Sequence, residues 1–175
     1  MIYLGTDHRG FALKEKIKQW LSEWGYQYED LGALEYSQDD DYVDFISKVA
    51  QKVSENPQNN KGIVLGMSGQ GEAMVANKFK GVRAAVFYGP SNKNWIWSFL
   101  LGFWAALVAF LTYRNHNKKI IRLSRQHNDA NVLSLGSFFL TERAAKNAIK
   151  LWLETNFSGE ERHIRRIEKI KILEE

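Results

Sequence analysis

The chain has 175 residues, no cysteine, and a formal net charge of +4 from 24 basic and 20 acidic side chains. That length holds one core-bearing domain and not two ordinary ones, and the lack of cysteine excludes disulfides, thiolate metal sites and a cysteine nucleophile, which fits a reducing compartment. The bases gather mainly between Arg162 and Lys171, interleaved with acids, which is a poor footprint for nucleic acid.

Apolar runs alternate with amphipathic stretches, the pattern of βαβ units and a parallel sheet covered by helices on both faces. Ile2 to Thr6 reads as the first strand, and the immediate succession of Asp7, His8 and Arg9 argues for a strand rather than a leader peptide. Phe11, Leu13, Ile17, Trp20 and Leu21 recur at helical spacing, and Gly25 closes that helix. Tyr26 to Leu31 reads as strand two. Val43, Ile46, Val49, Ala50 and Val53 mark a second helix, ended near Pro57. Gly62 to Leu65 and Val82 to Tyr88 come next as strands three and four, Asn131 to Leu135 as strand five, and Thr141 to Thr155 and Glu160 to Leu173 as the closing helices.

The stretch GIVLGMSGQGEAMVANK, Gly62 to Lys78, runs a strand into a glycine-rich turn and then a helix. Gly69 and Gly71 let the backbone approach a ligand, and the first N–H groups of the helix lack intrahelical partners, so the turn is an anion cradle. Glu72 stands in the first helical turn, where an acid on its own is ordinary dipole complementarity. Open parallel sheets bind ligands at the carboxyl ends of their strands, and Asp7, His8, the Ser68 to Glu72 turn and the residues before strand five are expected to converge there.

Five blocks in order, GTDHRGF at 5–11, DYVDF at 41–45, GMSGQGEAMVANK leading to GVRAA, SRQHNDANVLSLG at 124–136 and FSGEERHIRRIEKI at 157–170, resemble ribose-5-phosphate isomerase B and the related galactose-6-phosphate isomerase subunits. The resemblance covers nearly the whole chain. It implies an α/β fold, a Rossmann-like three-layer sandwich with a five-stranded parallel sheet. It further implies a homodimer, or a tetramer, with each site shared between subunits, and aldose–ketose isomerisation through an enediol with no cofactor or metal.

Such a reaction needs a base beside a carbonyl, donors for the enediolate oxygen and cations for the phosphate. Many members of the family carry a cysteine base where this chain has Gly66, while a second branch uses a glutamate where Glu72 stands, so the resemblance assigns the base to Glu72. The N–H groups of Ser68 to Gly71 would hold the enediolate oxygen, at about 3 kcal/mol per well-aimed donor. Met67, Gly69, Gln70 and Gly71 would line the substrate, and the Ser68 hydroxyl would join the catalytic set. A helix start lowers the pKa of a carboxylate, so desolvation by bound substrate must raise it again if Glu72 is to act as a base.

The same resemblance makes His127 the acid that opens the furanose ring and Asn128 a substrate contact. Asp7 and His8 match its sugar-binding pair and Tyr42 its pocket wall, although a strand-end turn and a core aromatic would account for these types too. Arg162 and Arg166, at i and i+4, share one helix face and suit a paired phosphate grip reaching the partner's site, with His163 between them. Without the family pattern they would read as a solvated, salt-bridged helix. Phe138 stands where the family commonly has an arginine, so one phosphate or hydroxyl contact is missing.

The chain also departs from the family by an insertion. From Asn94 to Tyr113 there is no charge, Trp95, Trp97 and Tyr113 sit at the ends, and Lys93, Arg114, Lys118 and Lys119 flank the stretch. About 20 residues would span the roughly 30 Å hydrocarbon layer, yet one crossing would separate blocks that must meet in one sheet. An interfacial helix or hairpin bent near Gly102, a buried helix at a subunit interface, or a true span that destroys the enzyme are the readings left.

The expectation is one domain over 1–175, interrupted by a hydrophobic inserted helix at about 91–119. It would act on ribose 5-phosphate and ribulose 5-phosphate in the cytoplasm or at the inner face of a membrane touched through 94–113. The alternatives are a hexose 6-phosphate isomerase, for allose or galactose, and a non-catalytic membrane-tethered sugar-phosphate binding protein.

Overall fold

The structure is a computed structural model and describes residues 1–89 and 118–174. Its strands are β1 (Ile2–Thr6), β2 (Tyr28–Asp30), β3 (Lys61–Gly66), β4 (Ala84–Phe87) and β5 (Val132–Gly136). Its helices are α1 (Phe11–Glu23), α2 (Tyr42–Glu55), α3 (Gln70–Ala76), α4 (residues 118–126 of the described chain), α5 (Glu142–Glu154) and α6 (Glu161–Ile172). The strands form one sheet in the order β2-β1-β3-β5-β4, every pair parallel. The expected α/β class and five-stranded parallel sheet are therefore present.

Period-2 alternation decides which side chain enters which layer. Ile2, Leu4, Ile63, Leu65, Leu133 and Leu135 point to one face, where α1, α5 and Ile121 of α4 cover them. Tyr3, Val64 and Val132 point to the other, under Ile46, Val49, Ala50 and Val53 of α2 and Ala76 of α3. Both faces are buried, which is why these strands read as apolar runs rather than half-polar ones.

Two strands are shorter than the apolar runs suggest. β2 starts at Tyr28 because the Tyr26 N–H is spent on the Leu21 carbonyl at the end of α1, and it ends at Asp30, whose carboxylate turns away to the buried Lys14 ammonium at 2.6 Å. β4 starts at Ala84 because the Val82 N–H closes a turn on Phe79 and the Arg83 N–H donates to the Asn131 side chain.

The expected inserted helix at 94–113, within 91–119, lies outside the described residues except for Lys118 and Lys119 at the start of α4. Among the described residues no helix is long and apolar enough to cross a membrane. The elements bracketing the stretch, β4 and β5, are hydrogen-bonded neighbours in register from Ala84 beside Val132 to Phe87 beside Leu135. Both flanks thus belong to one sheet.

Candidate active site

The strand order reverses direction between β1 and β3, the place where open α/β sheets leave a crevice at the carboxyl edge. The chain leaving β1 carries Asp7 and His8, and the chain leaving β3 is the turn Met67–Gly69 that opens α3. Gly69 has φ of +76°, and a side chain there would press on the backbone of Leu135 and Gly136 at 3.0–3.1 Å. Only glycine meets both demands. The Ser134 hydroxyl donates to the Gly69 carbonyl at 2.6 Å, tying the turn to β5. Ser68 is half-buried and its Oγ accepts from the Gln70 N–H at 3.3 Å. A Cβ at Gly71 would lie 2.9 Å from the Tyr42 hydroxyl, so that phenol covers the turn. Met67 and Gln70 are exposed on its rim.

Glu72 is 5% exposed and folds back so that its carboxyl group lies over Gly66. Burial pushes its pKa up from the usual range, the charge of Asp7 adds to the rise, and the N–H groups of Gly69 and Glu72 itself oppose it. Desolvation therefore raises this carboxyl before any substrate arrives. Asp7 is 7% exposed, and burial raises its pKa too, with Asp40 adding and the Arg9 and Gly10 N–H groups and His8 opposing. The Arg9 N–H reaches Asp7 Oδ1 at 2.9 Å. Two interacting carboxyls with raised pKa values in one crevice are suited to proton transfer.

His8 is held from the side. Its Nδ1 lies 2.6 Å from Asp40 Oδ1, its backbone N–H donates to the same oxygen at 3.0 Å, and the Tyr36 ring meets it edge-on. Asp7, His8 and Asp40 have donor atoms within 4.8 Å of one another and are the group among the described residues that could face a cation. Asp40 was not evident in the sequence. Asp39, Asp40 and Asp41 are consecutive; Asp41 caps α2 through the Val43 N–H at 3.1 Å, and nothing in composition marks which neighbour turns inward.

The remaining predicted residues form a second cluster. His127 is half-buried and stacks on His163 with ring centroids 4.1 Å apart. His163 is 1% exposed, with Nδ1 2.9 Å from the Ser158 hydroxyl. Burial lowers its pKa, His127, Arg162 and Arg166 lower it further, and Glu160 opposes them. Asn128, Arg162 and Arg166 are exposed; Arg162 Nε donates to Glu160 at 2.8 Å.

The expected convergence of the residues before β5, His127 and Asn128, with Asp7 and the turn does not occur within one chain. β5 is parallel to β3, with Gly62 beside Val132 and Gly66 beside Gly136, so the residues entering β5 must lie at the amino edge and those leaving β3 at the carboxyl edge. The strand between them is about 13 Å long at 3.3 Å per residue. Phe138 stands just past β5 at the carboxyl edge, 61% exposed, its N–H donating to the Met67 carbonyl at 3.2 Å and its ring against Phe139. Ser68, Tyr88, Gly89 and Phe139 line an adjoining depression of about 370 Å³.

The sequence profile of the Ribose/Galactose Isomerase family matches residues 2–93 and 111–170, leaving 94–110, within the uncharged stretch, unmatched. A probable ribose-5-phosphate isomerase B of Mycoplasma genitalium is 34% identical over 169 residues, covering 97% of this chain and 92% of that protein. Ribose-5-phosphate isomerase B of Mycobacterium tuberculosis is 33% identical over 167 residues, covering 95% and 85%. The crystal structure of the M. genitalium enzyme with bound ribulose-5-phosphate superposes with a TM-score of 0.80 over 99% of this chain and 95% of that one, at 34% identity. The Clostridium thermocellum enzyme gives 0.78 over 99% and 96%, at 32% identity.

Proposed function

The chain belongs to the ribose/galactose isomerase family, and on that premise we propose that it interconverts ribose 5-phosphate and ribulose 5-phosphate through an enediol intermediate. The observation that carries the mechanism is the buried carboxyl of Glu72, its pKa raised by burial and by Asp7, at the mouth of the turn after β3. Glu72 takes the proton from C2 and returns it to C1. The N–H groups of Ser68 to Gly71 and the Ser68 hydroxyl hold the developing oxyanion, while Asp7, His8 and Tyr42 orient the sugar. In M. genitalium the related enzyme is seen with ribulose-5-phosphate bound, which supports a pentose phosphate here.

His127 opens the furanose ring, Asn128 contacts the sugar, and Arg162 and Arg166 take the phosphate, all from a second copy of the chain. What supports that division is the length of β3 and β5 between the two clusters and the exposure of Arg162, Arg166 and Asn128 in the single chain. A two-fold homodimer returns each cluster to the other's site twice. We read 1–175 as one isomerase domain interrupted at about 91–119, and the uncharged composition of 94–113 with basic flanks supports contact with a membrane surface. Flotation of the whole chain with anionic vesicles, compared with a version carrying a glycine-serine loop there, tests that contact.

The isomerase reading is tested by turnover of ribose 5-phosphate by the purified chain and its Glu72→Gln variant. The variant should lose turnover by at least about 1000-fold while binding ribose 5-phosphate within about threefold of wild type. Equal turnover in both would remove Glu72 as the base. Binding without turnover in the wild type would favour a sugar-phosphate binding protein.

A further inference from the structure

Asp40 takes no part in the proton transfer itself, yet its surroundings are unusual for a loop carboxylate. It precedes α2 in a run of exposed residues, but its own side chain is 8% exposed. Oδ1 takes two contacts from His8, the ring Nδ1 at 2.6 Å and the backbone N–H at 3.0 Å. Oδ2 is fully buried and has no hydrogen-bond partner among the described residues. A carboxylate with one unmatched oxygen in the interior is a poor choice for stability alone, since its desolvation is only half compensated.

Resting on the isomerase reading, we propose that Asp40 is the positioning residue of His8. Its Oδ1 fixes the imidazole in the Nδ1–H form and fixes the ring plane, which leaves Nε2 as the nitrogen offered to the sugar. The partner of one ring nitrogen decides the tautomer and therefore what the other can do. With Nδ1 donating, Nε2 accepts from a sugar hydroxyl. The backbone contact to the same oxygen anchors the residue that carries the ring, so ring and main chain are set by one atom. Asp41 caps α2 and Tyr42 of that helix covers Gly71, so the start of α2 aims Asp40 at His8 and Tyr42 at the turn together. Tyr36 meets both His8 and Phe11 edge-on.

The test combines kinetics with a spectrum that does not depend on turnover. Asp40→Asn keeps the accepting oxygen and removes the charge. It should lower kcat/KM for ribose 5-phosphate by roughly tenfold or more, the usual effect of taking the charge out of such a hydrogen bond, with a melting midpoint at or above that of wild type. In a His8→Asn background the same substitution should change kcat/KM by less than about twofold, because a positioning residue acts only through the residue it positions. Long-range ¹H–¹⁵N correlation of the substrate-free protein in mildly alkaline buffer should show His8 as Nδ1–H in the wild type and a tautomer mixture in Asp40→Ala.

Equal losses in both backgrounds, a loss of activity that merely tracks a fall in melting midpoint, or an unchanged His8 spectrum in Asp40→Ala would each overturn the assignment. A wild-type chain with no turnover of ribose 5-phosphate would instead overturn the isomerase reading, and the spectrum would still decide the pairing of Asp40 with His8.

Discussion

The Glu72 carboxyl group occupies the space into which a side chain at Gly66 would project. Residue 66 ends β3 and residue 72 lies in the first turn of α3, so the two positions compete for one volume beside the substrate crevice. A chain of this geometry can carry a reactive group at one of them and not at both. Gly66→Ala should therefore push Glu72 aside and lower kcat/KM by about 100-fold, the scale expected of an ångström-size misplacement of a reacting group. Far-ultraviolet circular dichroism should be unaltered. Steady-state kinetics of the variant decide it, and near-wild-type turnover would show that Glu72 has a second productive position.

The charge of Asp7 is one of the causes that raise the Glu72 pKa. Removing it in Asp7→Asn should let that pKa fall toward the ordinary carboxylate range. The acid limb of the kcat/KM profile should then move to lower pH, even as the plateau drops through the lost sugar contact. An acid limb that stays in place, or moves up, would mean that another group sets it.

Glu72→Gln should be more stable than the wild type at neutral pH. Because the folded-state pKa of Glu72 is raised, its favourable contribution is complete below the unfolded value and is lost as pH rises through the folded one. Above the folded-state pKa the wild type carries the cost of a buried charge that the amide lacks. Urea midpoints at fixed protein concentration should show the variant ahead by a margin that closes as the pH falls toward the ordinary glutamate value of about 4.3.

The fold was legible because both faces of the sheet are covered. Runs such as Ile63–Leu65 and Val132–Leu133 had to be apolar, and α1 and α2 carried their burial at helical spacing. The turn was legible through Gly69, whose left-handed backbone leaves a mark in residue type, and Gly71, which lies under the Tyr42 phenol. The direction of approach was not. His127 and Asp7 stand near strand ends in sequence, but one enters its strand and the other leaves it, and parallel pairing sends them to opposite edges. Asp40 left no mark either, because which of three consecutive aspartates caps a helix and which turns inward depends on the loop that carries them.

That opposition of edges leads to the last prediction. If each site takes Glu72 from one chain and Arg162 and Arg166 from the other, two defective chains can repair each other. Chains carrying Glu72→Gln should be inactive, as should chains carrying Arg162→Ala with Arg166→Ala. Unfolded together and refolded at equal concentration, about half of the dimers would be mixed, and each mixed dimer would hold one site with every group intact and one with both defects. Activity should then recover to about a quarter of the wild-type level. Tagging the two chains differently and isolating the mixed species should raise that to about half. A refolded mixture that stays inactive, with mixed dimers demonstrated by their tags, would place all the working groups of a site within one chain, and a rearrangement bringing the amino-edge cluster to Glu72 would then be required.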